Sequence, residues 1–362
     1  MKKVGIVGQR GMVGSVLLER MRAEGDLGHC QASFFSTSQA GAADPLGGKL
    51  KDAMDPRALA EMDIILTCQG GDWTKELHPK LRDLGWQGHW IDAASALRMD
   101  PKAVIILDPV NQRVIDRARE AGTKDWIGGN CTVSLLLLAL GGLFKHGHVE
   151  WATTHTYQAA SGAGAKNMLE LISQMHFLSS GVKREMEAGA SALEVEKRLG
   201  ELARSSDFPR EAFGHPLAAN LLPWIDSALP SGQSREEWKA QAEANKILAP
   251  AREIPIDGTC VRVGALRCHS QAVTLKLTRD LPLAEIEALI KNDNPWVKFV
   301  ANDRDLSLRE LTPMAVSGTL DIAVGRVRPM SLGKGFVNAF TCGDQLLWGA
   351  AEPLRRMLRQ LV

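Results

Sequence analysis

The segment Lys2-Lys-Val-Gly-Ile-Val-Gly-Gln-Arg-Gly-Met-Val-Gly14, near the start of the chain, carries the pattern most informative about the fold. Its short apolar run is typical of a buried parallel strand, and residues 15–21 beyond it have helical spacing. A strand, a glycine-rich turn and a helix in this order predict a dinucleotide site with the pyrophosphate at the helix N-terminus. The alternative is a plain strand-to-helix turn without a ligand.

Strand-like and helical segments continue to alternate after this turn. Apolar runs at 63–68, 90–95 and 103–107 are separated by stretches with helical character. This alternation predicts a doubly wound parallel sheet, whose ligands bind beyond the carboxyl ends of the strands. The loop at 69–72 and the loop that reaches Arg98 therefore lie at the expected binding edge.

The end of the second strand bears on the choice of cofactor. Phe34-Phe35 runs into Ser36-Thr37-Ser38-Gln39 without an acidic residue. An NAD-selective site usually places Asp or Glu here to bind the ribose 2′-hydroxyl. The hydroxyl side chains, with Arg10 in the neighbouring loop, favour NADP over NAD. A serine-rich surface loop is the alternative interpretation.

A second informative segment is Trp126-Ile-Gly-Gly-Asn-Cys-Thr-Val-Ser134, which places Cys131 between a tight turn and the apolar run 135–140. Unpaired N–H groups and a partial positive charge at a helix N-terminus favour a thiolate and can hold an oxyanion. We therefore expect a lowered pKa for Cys131 and a role as nucleophile. The alternative is a small buried hydrophobic residue, the usual state of a free cysteine.

Bulk composition excludes several classes of protein. The 362 residues carry 43 basic and 42 acidic side chains, so no strongly basic surface for nucleic acid is expected. The N-terminus is too short and polar for a secretory signal, and no apolar run is long enough to span a membrane. The six cysteines form no C-x-x-C pair or zinc-ligand spacing, so we expect no metal site and reduced thiols in a cytoplasm.

Three later segments carry polar residues with more than one interpretation. The β-prone run 150–157 ends at Gln158 and a glycine-rich loop, which suits either a ligand contact or a simple turn. Ser234 and Glu237 have capping-box spacing, so a helix begins there, and its alternating charges are typical of an exposed face. The strand-like run 260–277 contains Arg262 and His269, which face opposite sides unless Gly264 breaks the strand.

Taken in order, these motifs resemble the aspartate-semialdehyde dehydrogenase family, in the longer form of many Gram-negative bacteria. The resemblance extends from the first strand to the last helix. It rests on the stretches 8–14, 35–39, 67–72, 128–134, 157–162, 234–239, 262–269 and 343–349.

The resemblance implies an α/β chain with two parts. A Rossmann-type doubly wound parallel sheet for NADP would comprise residues 1–130, completed by a C-terminal helix at 344–362. An α+β catalytic and dimerisation domain of the glyceraldehyde-3-phosphate dehydrogenase-like kind would comprise residues 131–343. A homodimer is the implied assembly.

The resemblance also implies a reaction, the NADPH-dependent reduction of L-aspartyl-4-phosphate to L-aspartate 4-semialdehyde and phosphate through a thioester on Cys131. This step serves the biosynthesis of diaminopimelate, lysine, threonine, methionine and isoleucine. His269 would act as general acid and base, and Gln158 would orient the substrate. The implied substrate ligands are Arg262 for the α-carboxylate, Glu236 for the α-ammonium group, and Arg98 and Lys239 for the phosphate. The implied cofactor ligands are Gly8, Arg10, Gly11, Met12, Val13, Gly14, Thr37, Ser38, Gln69, Ser161, Gly162 and Gln345.

The chain departs from the family pattern in two places. Ala163 stands where a third glycine is expected, and residues 176–200 match poorly, so no cofactor ligand is assigned there. The assignment of Glu236 rather than Glu237 depends on the register. Glyceraldehyde-3-phosphate dehydrogenase and N-acetyl-glutamyl-phosphate reductase are the nearest rival enzymes. A cofactor-free cysteine hydrolase and a non-catalytic NADP-binding regulator are the alternatives from other classes.

Overall fold

Seven parallel strands form the first of two sheets in the computed structural model, which describes all 362 residues. Their spatial order is β3-β2-β1-β4-β5-β7-β6. The strands are β1 Lys3–Val7, β2 Gln31–Ser36, β3 Lys51–Asp52, β4 Ile64–Thr67, β5 His89–Asp92, β6 Ala103–Ile106 and β7 Asp125–Gly128. The helices that connect them are α1 Met12–Ala23, α2 Pro56–Ala60, α3 Gly71–Asp83 and α4 Asp108–Glu120.

The second sheet is mixed and has the order β13-β14-β15-β12-β8-β11-β9, with β10 paired to β8. Its strands are β8 Val149–Gln158, β9 Leu221–Leu222, β10 Ile256–Asp257, β11 Cys260–Val263, β12 His269–Leu277, β13 Val297–Phe299, β14 Ile322–Pro329 and β15 Phe336–Gly343. The remaining helices are α5 Cys131–Lys145, α6 Ala165–Gly181, α7 Lys183–Glu187, α8 Ala192–Arg204, α9 Arg235–Leu248, α10 Leu283–Lys291, α11 Arg304–Glu310, α12 Pro313–Val316 and α13 Glu352–Leu361. This arrangement confirms the fold class expected from the sequence. The domain boundary at residue 130 stays a prediction.

The turn between β1 and α1 needs its glycines. Gly8 has a φ of +80°, a backbone conformation that side chains other than glycine rarely adopt. A Cβ on Gly14 would lie only 2.1 Å from the Gly8 carbonyl oxygen. The helix can therefore start this close to the strand only because residue 14 has no side chain, which is the packing that a pyrophosphate-binding turn requires.

Helix α5 is the central buried element of the second part. Every residue from Thr132 to Phe144 is buried, and its leucines join a core with inward-facing side chains of β8, β12 and β15. Leucine and alanine are strong helix formers, and the side chain of Asn130 caps the first turn. The same cap places Cys131 at the edge of the core, where β7 ends.

The strand-like run 260–277 divides into β11 and β12, and the chain leaves the sheet between residues 264 and 268. The two strands lie on opposite sides of β8, β11 parallel to it and β12 antiparallel. The end of β11 and the start of β12 therefore both lie at the carboxyl end of β8. Because the strand breaks here, Arg262 and His269 are not forced to opposite sides of one strand, which was the question that the sequence left open.

The C-terminal helix begins later than the sequence suggested. Residues 344–346 form a turn, Leu347–Ala351 a wide π-type turn, and a regular helix starts only at Glu352. Asp344 caps this turn by accepting the Leu346 N–H rather than starting a helix itself. Helix α13 packs into the core of the first sheet, and Arg355 forms a buried ion pair with Asp26 at 2.9 Å. No helix in the chain is both long and apolar enough to cross a membrane.

Candidate active site

A cavity of about 400 Å³ lies where the carboxyl ends of β5 and β7 meet the end of β8 and helix α9. It gathers side chains from distant parts of the chain, including most of those that the sequence singled out. The predicted site residues that line it are Val13, Arg98, Cys131, Gln158, Ser161, Gly162, Glu236, Lys239, Arg262 and Gln345. A larger cleft of about 1060 Å³ between α4, α5 and α10 contains none of these residues.

Cys131 is the first residue of α5 and stays half-buried at the cavity wall. The Asn130 side-chain oxygen accepts the N–H groups of Thr132 at 3.0 Å and Val133 at 3.3 Å. These two donors are therefore occupied, and the expectation that the first-turn N–H groups together hold an oxyanion is wrong for them. The cap instead fixes the start of α5, where Cys131 is the first residue.

The expected lowering of the Cys131 pKa is also wrong for the unliganded protein. Desolvation by the surrounding protein atoms raises the pKa of Cys131 to about 12, and the nearby Glu236 carboxylate acts in the same direction. Arg98, Arg262 and Lys239 oppose this effect without outweighing it. The thiol is thus protonated at neutral pH until a ligand or a base changes its surroundings.

Gly349 in the π-type turn is a neighbour of Cys131 that the sequence did not reveal. A Cβ at this position would stand 2.7 Å from the Cys131 Cβ and 3.2 Å from the Gln345 Cβ. The turn that connects to the C-terminal helix therefore packs directly against Cys131. Contact across 218 positions leaves no local signal in the sequence.

Glu236 is the anionic centre of the cavity. Its Oε1 accepts from the Asn130 amide at 3.0 Å and from the Gln158 amide at 3.2 Å, and its Oε2 accepts from Lys239 Nζ at 3.0 Å. Burial alone would raise the pKa of Glu236, but Lys239 and these hydrogen bonds hold it below its usual value. Glu237 belongs to the capping box with Ser234, so the register chosen from the sequence places Glu236 in the cavity.

Lys239 shares its charge between two acids. Its ammonium group donates to Glu236 and, at 2.8 Å, to Asp226. Burial lowers the pKa of Lys239, but the two carboxylates outweigh that effect and raise it above its usual value. Asp226 was not identified from the sequence, because it lies in an irregular loop with no recognisable pattern.

Arg262 and His269 meet on the backbone of Ala159. Arg262 Nη1 donates to the Ala159 carbonyl at 2.7 Å, and the Ala159 N–H donates to His269 Nδ1 at 3.1 Å. A neutral His269 ring therefore carries its proton on Nε2, which is buried and has no hydrogen-bond partner. Burial, reinforced by the charge of Arg262, lowers the pKa of His269 to about 3.

His269 lies behind the cavity wall rather than in it. The residue is fully buried, and Gly162 separates it from the open space: a Cβ on Gly162 would come within 2.9 Å of the ring and 2.8 Å of Arg262 Nη1. No hydrogen bond joins His269 to Cys131 in this state. The absence of a side chain at residue 162 is what keeps the ring close to the cavity.

A separate cavity of about 240 Å³ lies beside the glycine-rich turn, where the sequence predicts the nucleotide. Arg10 Nη2 donates to Ser36 Oγ at 3.3 Å and Ser38 Oγ at 3.1 Å, and Gln69 donates to Thr37 Oγ1 at 3.3 Å. Of the predicted cofactor ligands, Gly8, Arg10, Gly11, Thr37, Ser38 and Gln69 line this cavity. Met12 opens α1 beside it, and Gly14 holds the helix against the turn.

Gln345 and Ser161 lie together in the main cavity. The Gln345 amide accepts the Cys268 N–H at 2.7 Å and donates to Ser161 Oγ. Cys268 has a φ of +75°, so this hydrogen bond stabilises an unusual backbone conformation directly before His269. No group of three or more His, Cys, Asp or Glu side chains is arranged to hold a metal ion.

Comparison with known proteins agrees with this geometry. A family model of the semialdehyde dehydrogenase NAD binding domain matches residues 3–118, and one of the semialdehyde dehydrogenase dimerisation domain matches residues 140–348. The aspartate semialdehyde dehydrogenase of Francisella tularensis is 50% identical, with a TM-score of 0.97 and 100% of both chains covered.

Two more distant solved structures share the fold. Aspartate semialdehyde dehydrogenase II of Vibrio cholerae, complexed with ASA, is 21% identical, with a TM-score of 0.80 and coverage of 100% of this chain and 98% of its own. The Candida albicans enzyme, solved with NADP, is 16% identical, with a TM-score of 0.65 and coverage of 99% and 98%.

Proposed function

This chain belongs to the aspartate-semialdehyde dehydrogenase family, and we propose that it reduces L-aspartyl-4-phosphate to L-aspartate 4-semialdehyde with NADPH. The proposal extends to a cytoplasmic role in the biosynthesis of diaminopimelate, lysine, threonine, methionine and isoleucine. The observation that carries it is the pattern of charge around Cys131.

That pattern complements the charges of the substrate. L-Aspartyl-4-phosphate has an α-carboxylate, an α-ammonium group and a phosphate, and the cavity offers three cations and one buried carboxylate. Arg262 keeps its Nε and Nη2 donors free of the Ala159 contact, which suits a bidentate bond to the α-carboxylate. Glu236 would accept from the α-ammonium group, and Arg98 and Lys239 would hold the phosphate.

In the proposed reaction, Cys131 supplies the nucleophile. Its thiol gives its proton to the His269 ring, its sulfur forms a bond to the acyl carbon, and the bond from that carbon to the phosphate oxygen breaks. The product of this step is a thioester and free phosphate. NADPH, when bound, supplies the hydride that reduces the thioester carbonyl. Cleavage of the carbon–sulfur bond then restores Cys131 and releases the semialdehyde.

His269 and Gln158 are the proposed assistants of Cys131. Because the His269 proton lies on Nε2, the ring begins as a hydrogen-bond donor and suits a developing oxyanion. To act as a base toward the thiol, the ring must break the Ala159 hydrogen bond, either to present Nδ1 or to move its proton to Nδ1 and free Nε2. Gln158 hydrogen-bonds Glu236 from the end of β8, which suits orientation of the substrate over the sulfur.

The residues near the glycine-rich turn fit NADP. No acid ends β2, and the Arg10 guanidinium lies between the Ser36 and Ser38 hydroxyls, where a 2′-phosphate would find a cation and two hydroxyl groups. The close packing of Gly14 on Gly8 leaves the helix N-terminus open to a pyrophosphate. Ser161, Gly162 and Gln345 would lie at the nicotinamide end.

A homodimer is the proposed assembly. One face of the second sheet packs on α5, and the other presents Trp151, Tyr157, Phe336 and Phe340 with partial or full exposure. Trp151 pairs with Phe336 and Tyr157 with Phe340 across the intervening strand β12, and accessible aromatic side chains grouped on one sheet face are typical of an interface between subunits. Light scattering of the purified protein measures the mass directly.

The reaction is tested by mixing the protein with L-aspartate 4-semialdehyde, phosphate and NADP and following NADPH absorbance. Parallel mixtures lack phosphate or contain NAD in place of NADP. A rise that needs phosphate and prefers NADP is the expected result. Turnover without phosphate would contradict the acyl-phosphate reaction, and equal rates with NAD would contradict the assigned selectivity.

A further inference from the structure

Helix α9 directs one charged face toward both parts of the site. Glu236 and Lys239 line the cavity, while Glu243 and Lys246 lie one and two turns further along the same face. The first pair belongs to the substrate site proposed above. The second pair touches the residues that hold the nucleophile and the phosphate ligand.

Glu243 is 2% exposed and uses both carboxylate oxygens on distant partners. Oε2 accepts the backbone N–H of Asn130 at 2.6 Å, and Oε1 accepts from Arg98 Nη1 at 3.2 Å. A buried carboxylate is costly unless it is paired and hydrogen-bonded. The buried Glu243 carboxylate is therefore stabilised by Asn130 and Arg98, and both of these partners line the candidate active site.

The contact with Asn130 acts on the nucleophile. The same Asn130 caps α5 with its side-chain oxygen and donates its amide to Glu236. Its backbone is thus held by Glu243 while its side chain sets the first turn of the helix that begins at Cys131. A shift of this residue moves the thiol and the Glu236 carboxylate together.

The contact with Arg98 acts on the phosphate ligand. Arg98 donates from Nε to the Gly128 carbonyl at 2.7 Å and from Nη2 to the Ala93 carbonyl at 3.2 Å, besides the bond to Glu243. Three of its five N–H groups are occupied, and one remains on each terminal nitrogen. Two N–H groups on adjacent nitrogens suit a bidentate bond to a phosphate. Lys246 holds the Arg98 backbone by donating to its carbonyl at 2.6 Å.

We propose that Glu243 is a positioning residue that orients Arg98 for the phosphate and anchors the start of the Cys131 helix. It acts through these two residues, and this inference rests on the proposed function. Its chief contribution is to phosphate recognition, because Arg98 Nη1 has no other acceptor in the protein. The α-carboxylate ligand Arg262 has its own anchor on Ala159 and is independent of Glu243.

The test compares wild type with Glu243→Gln and Glu243→Asp in the phosphorylating direction. In Glu243→Gln, the amide oxygen still accepts the Asn130 N–H. The NH₂ group then faces Arg98, so the guanidinium loses its hydrogen-bond acceptor. We expect the KM for inorganic phosphate to rise about tenfold, the loss of one charge-assisted hydrogen bond. The KM values for semialdehyde and NADP should stay within about twofold of wild type, because Arg262 is anchored independently of Glu243. Glu243→Asp retains the charge and shows a smaller rise.

Two controls separate positioning from general stability. Glu253→Gln makes the same chemical change at an exposed residue that contacts Gln241 of α9, and leaves the phosphate KM unchanged. In an Arg98→Lys background, Glu243→Gln produces no further rise, because both changes remove the same oriented guanidinium. Near-ultraviolet circular dichroism shows whether each variant is folded. If Glu243→Gln is unfolded, the phosphate KM of Glu243→Asp tests the inference in its place.

A folded Glu243→Gln with an unchanged phosphate KM overturns the inference, even with a lowered melting temperature. Independent, additive effects of Glu243→Gln and Arg98→Lys overturn it as well. A wild-type protein without phosphate-dependent turnover contradicts the proposed function instead. In that case, calorimetric titration with inorganic phosphate alone compares wild type and Glu243→Gln, and equal affinities refute the role of Glu243.

Discussion

Substitution of Gly349 by alanine tests the packing of the C-terminal turn against Cys131, the proposed nucleophile. The added Cβ would stand 2.7 Å from the Cys131 Cβ, whereas ordinary contacts begin at 3.4 Å. The neighbouring atoms are the Cys131 Cα and Cβ and the Gln345 Cβ, none of which is the free end of a flexible side chain. The two segments must therefore separate by about 0.7 Å or more.

The magnitude follows from two opposing effects. Alanine in place of a helical glycine normally stabilises by about 0.5–1 kcal/mol, whereas an overpacked contact costs about 1–3 kcal/mol. We expect a net loss of about 1 kcal/mol in the free energy of unfolding. A nucleophile misplaced by about 1 Å can lose about 100-fold in rate, so kcat should fall by about 10- to 100-fold.

The assay is NADPH formation from semialdehyde and phosphate, with urea unfolding measured on the same preparations. Gly200→Ala in α8 is the matched control, because its Cβ meets only the flexible end of Arg204. That variant should gain stability and keep full activity. Wild-type kcat and unchanged stability in Gly349→Ala would refute the contact between the C-terminal turn and Cys131.

Three further results are expected. Cys131→Ser should abolish turnover and leave the fluorescence-measured affinity for NADPH nearly intact, and substantial residual turnover would exclude the nucleophile assignment. Arg262→Lys should raise the KM for semialdehyde and lower kcat/KM in steady-state assays, since the bidentate fork is lost while the charge remains; unchanged kinetics would mean that Arg262 does not bind substrate. Because burial raises the pKa of Cys131 to about 12, the thiolate fraction grows with pH. The rate at which iodoacetamide alkylates this residue, followed by mass spectrometry, should therefore rise about tenfold per pH unit between about pH 7 and 10. A rate that reaches a plateau below about pH 8 would show that the thiol is already ionised.

Local patterns were reliable where the determining contacts are close in sequence. The glycine spacing at 8–14 identified the strand-to-helix turn, and the Ser234–Glu237 capping box set the register that turns Glu236 toward the cavity. The apolar run after Cys131 identified a core helix. The helix position of that cysteine led to the expectation of a lowered pKa, which was wrong because desolvation depends on what packs around the sulfur.

The strand and helix pattern, the two-part fold class and the family follow from the order of the residues, because these depend on periodicity, glycine conformation and ordered motifs. How these motifs act together depends on contacts between distant parts of the folded chain. Only the folded chain places Glu243 between Asn130 and Arg98, residues 113 and 145 positions away. Only folding hides His269 behind Gly162 and packs Gly349 on Cys131. Burial, charge neighbours and hydrogen-bond direction are properties of three-dimensional packing, and they decide the chemistry that a residue type merely permits.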